Sequence, residues 1–291
     1  MPLRTLSRLF TPKATQPEPA APQAPPPGAG ELNAEEKAAL AARPWSEVVG
    51  LLDMRLNGWF NNEAQELAPG FRISDDDVVV DVGAGDGGMA LFCARAARQT
   101  ILIDTDAARL EQSVERLKRA GVAGVEGRVA DGAQLPLPDA VASRVICTEV
   151  LEHVDDPSAV MAELVRIGQP GALYLLSAPG AVSEHLQQGV AAPSYFEKPN
   201  HIRIFEPDEF TQLVERAGLV IEQRSVYGFF WAMYWMFFWP AGVELGQEHP
   251  LLDAWSRTWW ELLQTPDGPR VKAKLDAIVP KVNGVVARKP G

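Results

Sequence analysis

The feature that most restricts this chain is a run of β-branched residues, Val78-Val79-Val80, that passes through Asp81-Val82 into Gly83-Ala84-Gly85-Asp86-Gly87-Gly88. β-branched residues favour a buried strand, and glycines at this density permit a sharp turn and a close approach of backbone to a neighbour. Gly83, Gly85 and Gly88 satisfy G-x-G-x-x-G, and Asp104 stands about where such a unit places an acid for a ribose. The pattern alone leaves two readings open, a turn needed only for packing or a cradle for an adenosine-type ligand. A strand before it and a helix after it favour the cradle.

Beyond this turn, helical and strand-like periodicities alternate. Residues 89–98 read as helix, 100–103 as strand, 107–120 as helix and 122–129 as a weaker strand. Then come a strand at 143–147, a helix at 157–167, a strand at 172–177 and a helix at 207–217 with Glu206 or its neighbour at the cap. Gly218 ends that helix, 219–226 resumes as strand, 231–279 is an inserted helical region, and 285–288 is a last strand. Such alternation predicts an α/β fold, a doubly wound and mostly parallel seven-stranded sheet, with the last two strands paired antiparallel at its end.

Ahead of the sheet, 33–67 has a helical pattern that Pro44 and Gly58 interrupt, and Asn33 with Glu36 makes a capping box. Residues 11–30 are rich in Pro and Ala and read as an extended linker. Leu3, Leu6, Leu9 and Phe10 share a helical face near Arg4 and Arg8, which suits either a frayed tail or a weak membrane or partner anchor. The expected organisation is a disordered Pro/Ala-rich tail at 1–30, a helical lid at 31–74 and a main unit at 75–291 carrying a helical aromatic insertion at about 229–280.

Charge selects the ligand. A dinucleotide would set its pyrophosphate against the glycine turn, where Asp81 and Asp86 repel it. Two carboxylates suit cationic groups such as an α-ammonium or a sulfonium. S-adenosylmethionine carries both, together with a ribose for Asp104.

The formal charge of −11 argues against a broad nucleic-acid footprint. Cys93 and Cys147 have no second Cys or His at metal spacing, so they read as buried small hydrophobes and no metal is expected. No apolar run reaches the roughly 18 residues of a membrane span, and the first ten residues lack the core of a secretory signal. A cytoplasmic protein is the expectation, with peripheral contact at the inner face of a membrane as an open addition. The oligomeric state is not legible.

The succession D-V-G-A-G-D-G-G, I-L-I-D-T-D, A-D-G-A-Q-L-P-L-P-D and T-E-V-L-E-H-V-D-D-P resembles the class I S-adenosylmethionine-dependent methyltransferases. It is most similar to their small-molecule branch, which includes the ubiquinone/menaquinone methyltransferases. The resemblance covers 78–179 strongly and 201–226 more loosely, and it implies a Rossmann-like methyltransferase fold. It implies that Asp81, Gly83, Ala84 and Gly85 meet the methionine end of the cofactor. By the same likeness Asp104 holds the ribose, Thr105 lies beside the adenine, and Asp131, Gly132 and Ala133 contact the adenine amino group. Cys147 and Glu149 then close the strand where methyl and acceptor meet. One departure stands out: Ser143-Arg144 occupies the place where the family often has an aromatic-Asp pair.

Methyl transfer from a sulfonium chiefly needs the acceptor held in line in a dry site, with a base for some acceptors. Glu149, Glu152, His153 and His201 are the candidates, and of the two glutamates position favours Glu149 for the pocket. Each has a plainer alternative as a cap, a packing residue or a solvated side chain. His201 begins His201-Ile202-Arg203-Ile204-Phe205, similar to an H-x-R-x-F segment frequent in the family. The aromatic run 227–239 suits a buried helix, a wall of an apolar pocket or an interfacial segment, and the pocket wall predicts a small, lipid-like or glycan-linked acceptor. An NAD(P)-dependent oxidoreductase and a non-catalytic interaction protein of the same fold are the rival classes.

Overall fold

The computed structural model describes residues 44–291. The expected tail at 1–30, the Asn33–Glu36 box and the first part of the lid lie outside the described residues. Pro44 precedes α1 (Trp45–Leu56), as its fixed φ favours at a helix start. The expected helix does not run on to residue 67. Phe60 and Gln65 take φ of 55°, which an α-helix cannot accommodate, and β1 (Glu66–Ala68) pairs antiparallel with β2 (Phe71–Arg72).

The main sheet comprises β3 (Val78–Val82), β4 (Gln99–Asp104), β5 (Val125–Val129), β6 (Ala142–Thr148), β7 (Gly168–Pro179), β8 (Val220–Tyr227) and β9 (Val282–Arg288). Its order is β5-β4-β3-β6-β7-β9-β8. The first five strands are parallel, and β9 runs antiparallel to both β7 and β8. This is the predicted α/β sheet with its late antiparallel pair. The chain winds outward from β3 through β4 and β5, then returns to the other side of β3 through β6. The switch point between β3 and β6 is where open α/β sheets leave a crevice at the strands' carboxyl ends.

The helices are α2 (Ala90–Ala96), α3 (Ala107–Arg119), α4 (Pro157–Ile167), α5 (Ala181–Gln187), α6 (Pro207–Arg216), α7 (Phe229–Ala241), α8 (Pro250–Gln264) and α9 (Gly268–Ile278). Their ends follow local chemistry. Asp156 caps α4 by accepting from the Ser158 and Ala159 amides, and Glu209 reaches back to the Glu206 amide at 3.2 Å at the start of α6. The weaker strand begins at Val125 rather than 122 because the chain first closes α3, with Val122 N donating to Leu117 O.

Alternate residues of each strand feed opposite cores. Val78, Val80, Val82, Val145 and Cys147 face α4 and α6, while Val79, Ile146, Leu173 and Val286 face Trp59, Leu67 and Phe71. At the foot of the sheet, Ser143 donates to Asp77 Oδ1 at 2.7 Å and Arg144 lies 3.1 Å from the same oxygen. The acid expected on the β6 side from the resemblance is absent, and Asp77 supplies one from the β3 side, its carboxyl held by these bonds below the usual range despite its partial burial.

A third core joins α1 to the insertion through Val49, Leu52, Phe230, Tyr234 and Trp259. At its centre Lys272 of α9 lies 3.2 Å from Asp53 of α1 and also pairs with Asp276. Asp53 further accepts from Trp259 Nε1 at 2.8 Å, and Asp276 from the Phe229 amide at 2.8 Å. Burial pushes the Asp53 carboxyl up to about 6 against the pull of Lys272.

Replacing Lys272 by Met leaves two buried carboxyls uncompensated, and the expected loss is about 3–5 kcal/mol of unfolding free energy at pH 7 in a urea titration. A carboxyl held above its usual range favours the fold only while protonated, and that contribution is lost as pH rises through about 6. The Lys272→Met deficit therefore narrows toward pH 5.

Candidate functional site

The turn after β3 is tied to β4, for the Gly83 and Ala84 amides both donate to Ile103 O, at 2.8 and 3.0 Å. Gly83, Gly85 and Gly87 adopt φ of +75°, +53° and +69°. The third residue that must be glycine is therefore Gly87, whereas Gly88, chosen by the motif spacing, has no such requirement. At Gly83 a second demand operates: a Cβ there would stand 2.2 Å from Cγ2 of Val150. The turn and the loop after β6 touch because this side chain is missing.

Asp81 is 2% exposed, and burial first, then the nearby Asp104 carboxylate, pushes its carboxyl up to about 7. Asp86 lies exposed, and its backbone carbonyl accepts from the Arg116 guanidinium. The acid that lines the turn is accordingly the pair Asp81 and Asp104, not Asp81 and Asp86. Asp104 accepts from the Gly85 amide at 2.7 Å and the Asp106 amide at 2.9 Å, which leaves lone pairs for further donors. Thr105 and Asp131 are exposed beyond the ends of β4 and β5, and Asp131 fixes its own turn by accepting from the Ala133 amide at 2.9 Å. Gly132 packs against Val160 and Val82. Cys147 is fully buried, and that burial pushes its thiol up, which makes it a packing residue under the site and no nucleophile. The rim offers acid for a ribose and an ammonium, and open backbone beside Gly85, so the residues present fit S-adenosylmethionine.

Glu149 follows β6 with φ of +54°, so its side chain turns toward β7, where Ser177 Oγ donates to it at 2.9 Å. Lys281, immediately before β9, lies 3.8 Å from Glu149 and 3.2 Å from Glu184 of α5. Glu184 is 1% exposed and also accepts from Tyr195 at 3.1 Å and from His201 Nδ1 at 2.8 Å. Burial alone would raise its carboxyl, but His201 and Lys281 outweigh that and hold it below the usual range. Lys281 and Glu184 are site residues that the sequence alone does not mark. Neither belongs to a motif, and their ion pair spans 97 positions of chain.

Glu152 follows on the same loop, fully buried, with both carboxylate oxygens lacking any hydrogen-bond partner. Burial, then Glu149, pushes its carboxyl well up. His153 Nδ1 donates to Pro199 O at 3.1 Å and its Nε2 lies 3.5 Å from Glu152. Burial, then His201, holds the His153 ring below its usual range. The two imidazoles meet edge to face at 4.9 Å.

A cleft of about 440 Å³ opens over this group, lined by Glu149, His201, Lys281 and Tyr195 and by Trp235, Phe238 and Trp239 of α7. Glu149 and His201 thus reach the cleft, while His153 stands behind His201. The aromatic helix is divided: Phe230 and Tyr234 belong to the third core, and Trp235, Phe238 and Trp239 form a wall of the cleft. No helix among the described residues is long and apolar enough to cross a membrane.

Residues 80–176 match the family described as a methyltransferase domain. A Mycolicibacterium smegmatis protein named "Probable S-adenosylmethionine-dependent methyltransferase" is 32% identical over 169 residues, covering 57% of this chain and 61% of that protein. The ubiquinone/menaquinone biosynthesis C-methyltransferase UbiE of Caulobacter vibrioides is 28% identical over 184 residues, covering 58% of this chain and 70% of that protein. A Galdieria sulphuraria structure solved as a candidate sarcosine dimethylglycine methyltransferase superposes with a TM-score of 0.53 at 15% identity, covering 75% of this chain and 80% of the other, and so shares the fold. The chain spans about three fifths of the length of the Mycolicibacterium relative.

Gly83→Ala forces an alanine into the left-handed region and displaces Val150, so about 1–3 kcal/mol of stability is expected to be lost. A urea midpoint equal to that of the parent would contradict the close contact.

Proposed function

From the premise that residues 80–176 are a methyltransferase domain, we propose that the chain is an S-adenosylmethionine-dependent methyltransferase acting on a small, apolar acceptor. The observation that carries the reading is the buried acid at the glycine turn, whose Gly83 packs against Val150, the chain neighbour of the cleft-lining Glu149. Asp81 meets the ammonium of the methionine moiety, Asp104 takes the ribose hydroxyls, and Asp131 with Gly132 and Ala133 borders the adenine, with Thr105 beside it. The cofactor supplies a methyl group on a sulfonium, an electrophile with a neutral leaving group.

The chain's own residues then supply position and proton management. Trp235, Phe238 and Trp239 hold a flat or lipid-like body, and their side chains exclude water from the reacting end. Glu149, turned into the cleft by its unusual backbone, is the group placed to take the acceptor's proton, with His201 beside it. Leu245, 74% exposed at the cleft mouth, suits an acceptor held in a membrane surface, or a glycan-linked lipid, that reaches in from that side. A dinucleotide is disfavoured because its phosphates would face Asp81. Fold alone does not choose among reactions, so the acid turn and the cleft carry the argument.

Isothermal titration with S-adenosylmethionine, S-adenosylhomocysteine and NAD tests the proposal, and binding of NAD alone would overturn it. Asp81 is protonated below about 7 in the free protein and ionised against a cationic ligand, so affinity for S-adenosylmethionine rises between pH 6 and pH 8. Asp81→Asn removes that dependence and weakens binding by about tenfold or more, the value of a charge-assisted hydrogen bond. The same variant, free of ligand, loses less stability than the parent as pH rises through about 7, because position 81 no longer carries a buried carboxyl to ionise.

A further inference from the structure

We infer that Glu152, His153 and His201 form a binding site for a divalent first-row transition-metal cation at the floor of the cleft. Glu152 has no exposed surface, and neither of its oxygens meets a hydrogen-bond donor, although a buried carboxylate without partners is among the costliest arrangements in a fold. The groups beside it present lone pairs. His153 Nδ1 is committed as a donor to Pro199 O and His201 Nδ1 to Glu184, so the Nε2 of each ring is left as the electron-pair donor. One ligand atom from each of the three residues lies within 4.8 Å of the other two. Around a common tetrahedral ion such atoms each stand about 2.1 Å from the metal and so about 3.4 Å from one another, and His153 Nε2 already lies 3.5 Å from Glu152.

Two independent features favour an ion over an empty polar knot. Both histidines are oriented through Nδ1 by an oxygen, one from a buried carboxylate and one from a backbone carbonyl, which is how metal-bound imidazoles are held in position. The charge count agrees as well. Three carboxyl groups, those of Glu149, Glu152 and Glu184, gather beside one ammonium, that of Lys281, so the group is rich in oxygen ligands and short of cations. Two nitrogens and one oxygen suit zinc, cobalt or manganese rather than calcium or magnesium. His201 lines the cleft, so the ion's open positions face the acceptor space. In that arrangement His201 holds the metal, Glu149 remains free to take a proton, and an oxygen-bearing acceptor gains a ligand site.

Cation binding is measured without turnover and so stands apart from the methyl-transfer reading. The full chain is stripped with a chelator and titrated with Co²⁺, with visible absorption and equilibrium dialysis as readouts. Expected are one tightly bound ion per chain and the d–d bands of nitrogen- and oxygen-ligated cobalt. Glu152→Gln and His153→Ala abolish the bands, and Glu184→Gln, which releases His201, weakens binding by about 10- to 100-fold. The surface control Glu222→Gln leaves binding unchanged. His153 is half-exposed, so its variant keeps the test valid if Glu152→Gln folds poorly. A spectrum equal to that of the aqua ion, or bands that survive both ligand substitutions, would overturn the inference.

Discussion

Two loops that are far apart in the chain share one space because a side chain is missing at Gly83. The glycine turn after β3 and the segment Glu149–His153 after β6 leave neighbouring strands at the same edge, and their contact is Gly83 against Val150. Everything functional is built outward from it. On one side lie Asp81 and Asp104, the acid of the glycine turn. On the other lie Glu149, Glu152 and His153. A methyl donor and an acceptor must come within near-attack distance of each other. The parallel register of β3 and β6, with Asp81 opposite Ile146, delivers both loops to that distance before any side chain is chosen.

The acceptor side is expensive. Burying Glu152 and Glu184, with Glu149 beside them, costs free energy that a single lysine does not recover in full, and such groups persist when they serve position rather than stability. The elements that supply them are the ones best fixed by the sheet. Lys281 is clamped by its amide to Tyr227 O and by its carbonyl to the Gly180 amide, so its ammonium cannot wander. Glu184 sits on a short helix whose start that same Gly180 forms. The polar floor is rigid, and the aromatic wall over it comes from a separate core centred on Trp259 and Lys272.

Much of this architecture could be read from residues alone, for a definable reason. Strands such as 78–82 and 142–148 are buried on both faces and so read as apolar runs, and caps such as Asp156 and Glu206 act within a few residues of themselves. Local rules reach that far. They also reach Glu149 and His201, which lie in motif-like segments. They do not reach Lys281, an ordinary lysine before a strand, or Glu184, an ordinary glutamate on a helix, because their roles come from contacts across the fold. The same limit explains Ser143-Arg144, whose partner Asp77 lies just before the neighbouring strand, and the choice of Gly87 over Gly88, which backbone angles decide and spacing does not. The helical pattern before the sheet over-extended because nothing local marks Glu66–Ala68 as a strand until its partner β2 is in place.

The pairing of Tyr227 with Val282 holds the two ends of the aromatic excursion side by side at the sheet's border. α7, α8 and α9 therefore leave and rejoin the scaffold through one narrow neck. A chain built this way can exchange the whole cassette without re-registering a single strand, since lengthening or shortening a closed excursion costs little. The neck divides a polar floor held by the sheet from a roof closed on itself, so the roof can be swapped while Lys281 and its partners stay in register.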